Sequence, residues 1–204
     1  MSKAIEEFLA YSNKIGNRIT LYETVSKKYG IKRALYPGSH IDISPSMVIP
    51  EVIYIDNFKG SIKFFKNIDE INDYVNKNKK YMENTSVTFY GNDYNEHLDI
   101  ESVDLIISQY AGFVGQATKY LLKDNGILLA NDSHGDATLA YFDEDFELIG
   151  IVNGKNEIKT DNLDKYFKLS NSKIVDLEKV LSKMSGPKYK YNAPNYIFKY
   201  SKKS

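Results

Sequence analysis

The chain contains no cysteine and no tryptophan, and the first absence excludes the most. Without a thiol there is no disulfide, no thiolate metal site and no cysteine nucleophile, a composition suited to the reducing cytoplasm. An excess of charge of either sign is missing too: 27 lysines and arginines face 27 aspartates and glutamates, for a formal net charge of zero. Sequence-independent binding of nucleic acid draws on a basic excess, so nucleic acid is not expected as a partner. No apolar run approaches the roughly 20 residues that cross a bilayer. The start, Met1-Ser-Lys-Ala-Ile-Glu-Glu-Phe8, places acids where a signal peptide has its apolar stretch. These absences predict a soluble, cytoplasmic protein with no membrane partner. There is no Gly-x-Ser-x-Gly elbow and no Gly-x-x-x-x-Gly-Lys loop, which sets aside serine hydrolysis and phosphate-loop chemistry. The acids and the histidine near residue 134 match no metal-ligand spacing, and no metal is expected.

One absence is local. After Glu178 no acid appears, whereas Lys179, Lys183, Lys188, Lys190, Lys199, Lys202 and Lys203 do. This tail reads as a solvated surface with a frayed terminus, and a contact surface for an anionic substrate is the alternative. Seventeen tyrosines and ten phenylalanines are assigned to core and half-buried strand positions.

The 204 residues suit one α/β domain over 1–204, with 1–30 as an N-terminal helical segment. Ile5, Phe8, Leu9 and Ser12, then Leu21, Tyr22, Val25 and Tyr29, recur at helical steps over 3–29, punctuated by Gly16 and Gly30. Gly30 is placed to end the helix. Strands are predicted at 33–36, 51–56, 87–90, 103–107, 127–130, 146–152 and 196–200. Helices are predicted at 58–66, 68–80 (with an Asn67-x-x-Glu70 capping signal), 111–123 (stopped by Lys123-Asp-Asn-Gly126) and 173–184, the last with Ile174, Leu177, Val180, Leu181 and Met184 inward. Such alternation implies a Rossmann-like three-layer sandwich around a mostly parallel sheet of about seven strands, the last antiparallel.

Ligand chemistry in such a sheet gathers at the C-terminal strand ends. Here these are Pro37–Asp42, Asp56, Gly91–Asp93, Ser108–Tyr110 and Asn131–Asp136, and the loop 37–50 takes on a ligand-facing character. Gly38 permits close backbone approach, and Asp56 stands near the roughly 20-residue spacing at which an acid accepts hydrogen bonds from a ribose. Asp56 could equally cap a turn, and Gly38 could serve the turn alone. His134, flanked by Asp132 and Asp136, could take a proton from a substrate nucleophile with one of the acids orienting it. The other reading is a polar loop whose acids cap turns and the next helix. Asp42, with His40 and Ser44, could face the same cleft or stitch its own loop. Tyr36 and Tyr110 could stack on a ring or fill the core.

Four segments carry a resemblance: Leu35-Tyr-Pro-Gly-Ser-His-Ile-Asp-Ile-Ser-Pro-Ser46, Val52-Ile-Tyr-Ile-Asp56, Ser108-Gln-Tyr-Ala-Gly-Phe113 and Leu129-Ala-Asn-Asp-Ser-His-Gly-Asp-Ala137. In order and spacing they resemble a group of bacterial Rossmann-like proteins of the class I S-adenosylmethionine-dependent methyltransferase type. The resemblance implies S-adenosylmethionine as cofactor. Gly38 and Ser39 would back onto its methionine part, Asp56 would hold the ribose, Asn92 or Asp93 would sit near the adenine, and Gln109 would face the sulfonium. Tyr36 and Asp42 join this cofactor set. His134, Asp132 and Asp136 form the catalytic set for methyl transfer to a small molecule. The chain lacks the Asn/Asp-Pro-Pro-Tyr signature, so amino-group methylation of bases finds no support. The first loop carries one glycine where the full fingerprint has three, and this motivates an alternative: a non-catalytic binding or regulatory module that has lost the cofactor. A nicotinamide-dependent oxidoreductase is a third reading, opposed by the missing Gly-x-Gly-x-x-Gly. Oligomeric state is left open, with a homodimer as the candidate assembly.

Overall fold

A computed structural model describes residues 2–170 and 173–202, so Lys203 of the basic tail lies outside the described residues. The chain divides into two compact units, Met1–Leu98 and Asp99–Ser204.

In the first unit, α1 (Lys3–Ile15) and α2 (Ile19–Tyr29) split the predicted N-terminal helix at Gly16, which sits at φ 83°. Gly30 ends α2 in the left-handed conformation, its N–H returning to the Ser26 carbonyl. Three strands follow, β1 (Arg33–Pro37), β2 (Glu51–Ile55) and β3 (Ser86–Tyr90), paired in parallel in the order β3-β2-β1. The crossover from β2 to β3 is made by α3 (Lys59–Phe65) and α4 (Ile68–Asn78). Asn67 does not cap α4; its amide donates instead to the Lys63 and Phe64 carbonyls at the end of α3. The residue serves the helix behind it because those last carbonyls lack partners of their own. Aromatic side chains tie the layers together: Phe8 of α1 meets Tyr74 of α4, and Phe65 stacks on Phe89 of β3 at 4.3 Å.

The second unit orders its strands β4-β5-β8-β6-β7: β4 (Val103–Ser108), β5 (Leu122–Ala130), β6 (Phe146–Val152), β7 (Ile158–Lys159) and β8 (Asn195–Tyr200). β4 and β5 are parallel; β8 runs antiparallel between β5 and β6, and β7 adds a short antiparallel edge. The described strands therefore number eight, one more than expected, because β7 is only two residues long and carries no periodicity to read. Three helices complete the unit, α5 (Val114–Thr118), α6 (Asp136–Phe142) and α7 (Leu177–Lys183).

Two expectations fail here. The helix predicted to Lys123 stops at Thr118, followed by a 3-10 turn, and Lys123-Asp-Asn-Gly126 lies inside β5. Asn125 takes φ 62° there, so the same residues that can end a helix form an irregular strand start. In α7 only Val180 is buried; Ile174, Leu181 and Met184 are exposed, Ile174 at 93%. The helix is shorter than its apolar pattern, so most of that pattern has no surface to cover. Many of the aromatic residues do go to the interior, with Phe167 packed among Tyr141, Tyr189, Tyr196 and Phe198, but Tyr90, Tyr110, Tyr120, Phe142 and Tyr191 are exposed.

Candidate functional site

In the first unit the strand-end loops converge on Asp56. One residue past β2 and 9% exposed, its carboxylate accepts the His40 N–H at 2.7 Å through Oδ2 and the Phe58 N–H at 2.8 Å through Oδ1. Its own N–H donates to the Tyr90 carbonyl at the end of β3. Gly38 turns the chain after β1 at φ 62°, and its N–H bonds the Ile55 carbonyl at 2.7 Å. A positive φ is what a Cβ penalises, which is the reason for glycine there. His40 follows at φ 50°, its ring stacked between Tyr11 of α1 and Phe58. His40 Nδ1 is buried and makes no hydrogen bond. Phe58, 55% exposed, forms the outer plate of that stack. At the tip of β3, Asp93 accepts from Asn57 at 3.2 Å and binds Asn95 twice, while Asn92 donates to Glu96. Asp56, Gly38, Ser39 and His40 thus share one turn system, and Asn57 connects it to Asp93.

Tyr36 and Asp42 are committed elsewhere in the same unit. Asp42 is fully buried; its Oδ2 accepts both Tyr22 and Tyr36 hydroxyls at 3.2 Å and faces Arg18 at 3.5 Å, while Oδ1 accepts the Ser44 N–H. Burial pushes the Tyr22 and Tyr36 phenols well above their usual range. The loop 37–50 is therefore largely interior, with Ile41–Ile49 each at most 9% exposed, in contrast to the ligand-facing character expected from its prolines. Its apolar residues outvote them: Ile41, Ile43, Met47 and Ile49 have a core to fill.

In the second unit the polar loop after β5 is organised by its acids. Asp132 accepts the Thr138 N–H at 2.7 Å and the Thr138 hydroxyl at 2.8 Å, and that hydroxyl also contacts the Tyr189 hydroxyl at 2.9 Å. Asp136, 1% exposed, accepts the Ser108 hydroxyl at 2.6 Å and the Gly115 N–H at 2.8 Å through Oδ2. The Gln116 N–H also bears on this carboxyl, yet no well-formed hydrogen bond reaches Oδ1. Burial raises both carboxyls to about 6 against the pull of these donors. His134 Nδ1 meets the neighbouring Ser133 hydroxyl at 3.0 Å, so the bonds of the two acids run to Thr138, Ser108 and Gly115 and not to the imidazole. Gln109 is buried, its amide strung between Asn195 at 2.7 Å and Asn131 at 3.2 Å.

Several participants carry no motif: Phe58, Tyr11, Thr138, Tyr189 and Gly186. Only Phe58 had a local signal, the Asp-x-aromatic spacing of a turn in which an acid binds the N–H two residues on. Gly186 presses on Asp132 so closely that a Cβ would overlap its carboxyl.

No family model matches the chain, and no curated protein matches it. Solved structures do. A protein from Klebsiella pneumoniae inferred to be an O-methyltransferase matches with a TM-score of 0.55 and 6% identity, over 100% of this chain and 91% of that one. A methyltransferase from Geobacter sulfurreducens matches at 0.51 and 11% identity, over 74% and 83%. A protein from Staphylococcus aureus inferred to be a caffeoyl-CoA O-methyltransferase is similar over 64% of this chain and 66% of its own length, at 0.46 and 15% identity. The first two matches, with the mostly parallel sheet and its antiparallel last strands, show the Rossmann-like α/β fold of the class I methyltransferases.

Among the described residues no helix is long and apolar enough to cross a membrane, and no cluster of three or more metal-ligating side chains is present.

Proposed function

We propose that the protein is an S-adenosylmethionine-dependent methyltransferase acting on a small molecule. The observation that carries this reading is Asp56, held at the tip of β2 beside the Gly38 turn, in a chain with a methyltransferase fold. Each Asp56 oxygen accepts one N–H and keeps a lone pair with which a ribose hydroxyl could bond. The unpartnered His40 Nδ1 and the half-exposed Phe58 ring add a polar atom and an apolar plate to the same turn system, so these residues fit an adenosine group. Asn92 and Asp93 are the nearby candidates for adenine, Gly38 and Ser39 for the methionine part, and Gln109 for the sulfonium end.

When bound, the cofactor supplies an electrophilic methyl group. Transfer then needs alignment and an acceptor for the substrate's proton. His134 is the candidate base: Nδ1 leans on the Ser133 hydroxyl, leaving Nε2 to take a proton. Asp132 and Asp136, at about 6, carry mostly negative charge at neutral pH and hold the loop through Thr138, Ser108 and Gly115.

Calorimetric titration with S-adenosylmethionine and S-adenosylhomocysteine, with NAD as control, tests the reading. Saturable binding of the sulfur compounds alone is expected, with a gain of about 2.7 kcal/mol in stability at a hundredfold excess over Kd. Binding of none of the three overturns it and favours the second reading, a binding or regulatory module without cofactor. That reading has its own observation: both Asp56 oxygens already serve the protein's backbone.

A further inference from the structure

We infer a second ligand site in the unit Asp99–Ser204, formed between α7 and the chain that follows it, for an amphipathic anion: a single alkyl chain ending in a carboxylate or a phosphate monoester. The inference is independent of methyl transfer.

The site is a groove of about 730 Å³, within the roughly 300–1,000 Å³ of small-molecule pockets. Its apolar lining comes from Leu169, Val175, Val180 and Pro187. The walls are held in place. An antiparallel bridge joins Leu169 to Tyr189, the Lys190 N–H bonds the Lys168 carbonyl at 2.9 Å, and Val180 is 2% exposed. Ile174 stands 93% exposed on the lining, an apolar side chain with a groove beside it.

The sign of the ligand follows from the rim. Lys179, Lys183 and Lys188 line the groove, and none of the three ammonium groups has an acidic partner among the described residues. Lys179 and Lys183 lie four apart on α7, where like charges repel. The acid on the lining, Asp176, is turned to its own helix, accepting the Lys179 N–H at 3.0 Å. Exposed lysines without an acidic partner, set along the edge of an apolar wall, favour an anion with an apolar body over a neutral or cationic one. The alternative reading of the basic tail, contact with an anion, thereby acquires a place.

The far side of the same wall is wired to the loop after β5. Gly186 lies against Asp132, Val180 against Gly135, and the Tyr189 hydroxyl meets Thr138. A ligand that shifts the 185–189 strap would therefore reach Asp132 through direct contacts.

The test is calorimetric titration of the full chain with laurate and with dodecyl phosphate below their micelle concentrations, beside dodecyltrimethylammonium, acetate and inorganic phosphate. Saturable binding of laurate, dodecyl phosphate or both is expected, and which of them binds identifies the headgroup. Lys179→Glu with Lys183→Glu, both on the exposed side of α7, should weaken binding about tenfold or more while circular dichroism stays unchanged. If that pair fails to fold, Lys188→Glu supplies the same comparison. Equal binding of the cationic amphiphile, binding of acetate or phosphate as tight as that of the long chains, an affinity indifferent to the charge reversals, or no binding at all would each overturn the site.

Discussion

Gly186 and Asp132 are in such close contact that no side chain fits between them: a Cβ on Gly186 would overlap the Asp132 carboxyl and its carbonyl oxygen. The contact is part of the burial that raises the Asp132 pKa to about 6, against the pull of the two Thr138 hydrogen bonds. Gly186→Ala should destabilise the protein by about 1–3 kcal/mol, the usual cost of forcing atoms into a packed interior. Denaturant unfolding measures it, and a midpoint equal to wild type would mean that the strap moves freely.

Asp136 makes stability depend on pH in a stated direction. Its carboxyl rises from 3.8 to about 6 on burial, so between those values the folded state holds the proton more firmly than the unfolded one. Stability from this group therefore falls as pH rises through that window and is level above it. Asp136→Asn abolishes that fall. Relative to wild type the variant should gain up to about 2–3 kcal/mol between pH 4 and pH 7, read as the difference of two unfolding curves at each pH. A difference that does not change with pH would refute the buried-carboxyl account.

Asp136→Ala should behave differently from the asparagine. It leaves the Ser108 hydroxyl and the Gly115 N–H without an acceptor in a buried site, at about 1–3 kcal/mol for each group. Thermal unfolding of the two variants at pH 7 makes the comparison, with the alanine expected to melt well below the asparagine.

The Arg18–Asp42 pair should show strong coupling. Asp42→Ala strands the Arg18 guanidinium beside Tyr22 and Tyr36 and is expected to cost about 3–5 kcal/mol. The double variant Arg18→Met with Asp42→Ala should cost clearly less than the sum of the two single changes, because neither charge is then left alone. Additive losses would mean that the two residues act separately.

Asp56 separates a ligand role from a structural one. Asp56→Asn keeps one acceptor for the His40 or Phe58 N–H and should cost about 1 kcal/mol of stability. If Asp56 holds a ribose, titration of the folded variant with S-adenosylhomocysteine will show affinity reduced about tenfold or more. Unchanged affinity would place Asp56 among the turn residues alone.

Much of the architecture was legible in the residues themselves. Arg33–Tyr36, Glu51–Asp56 and Phe146–Val152 read as strands because short apolar runs stop at Pro, Asp or Asn, and the structure ends β1, β2 and β6 within a residue of those points. Gly16 and Gly30 marked the helix ends because both positions need positive φ. What failed was where the same residues serve two masters: Asn125-Gly126 can end a helix or bend a strand, and Asn67 can cap the helix ahead or the one behind.

The sequence alone determined which groups stand at the strand ends, since alternation of apolar runs with polar punctuation sets the crossovers and hence the edge on which the polar residues fall. Only the tertiary structure decided what those groups are bonded to. Asp42 became part of a buried charge network, Asp56 a hub for two backbone N–H groups, and Asp132 and Asp136 buried acids tied to Thr138 and Ser108. The physical reason is range: periodicity is local, whereas a carboxylate's partners and its exclusion from water come from residues far away in sequence, as with Gly186, 54 positions on, over Asp132.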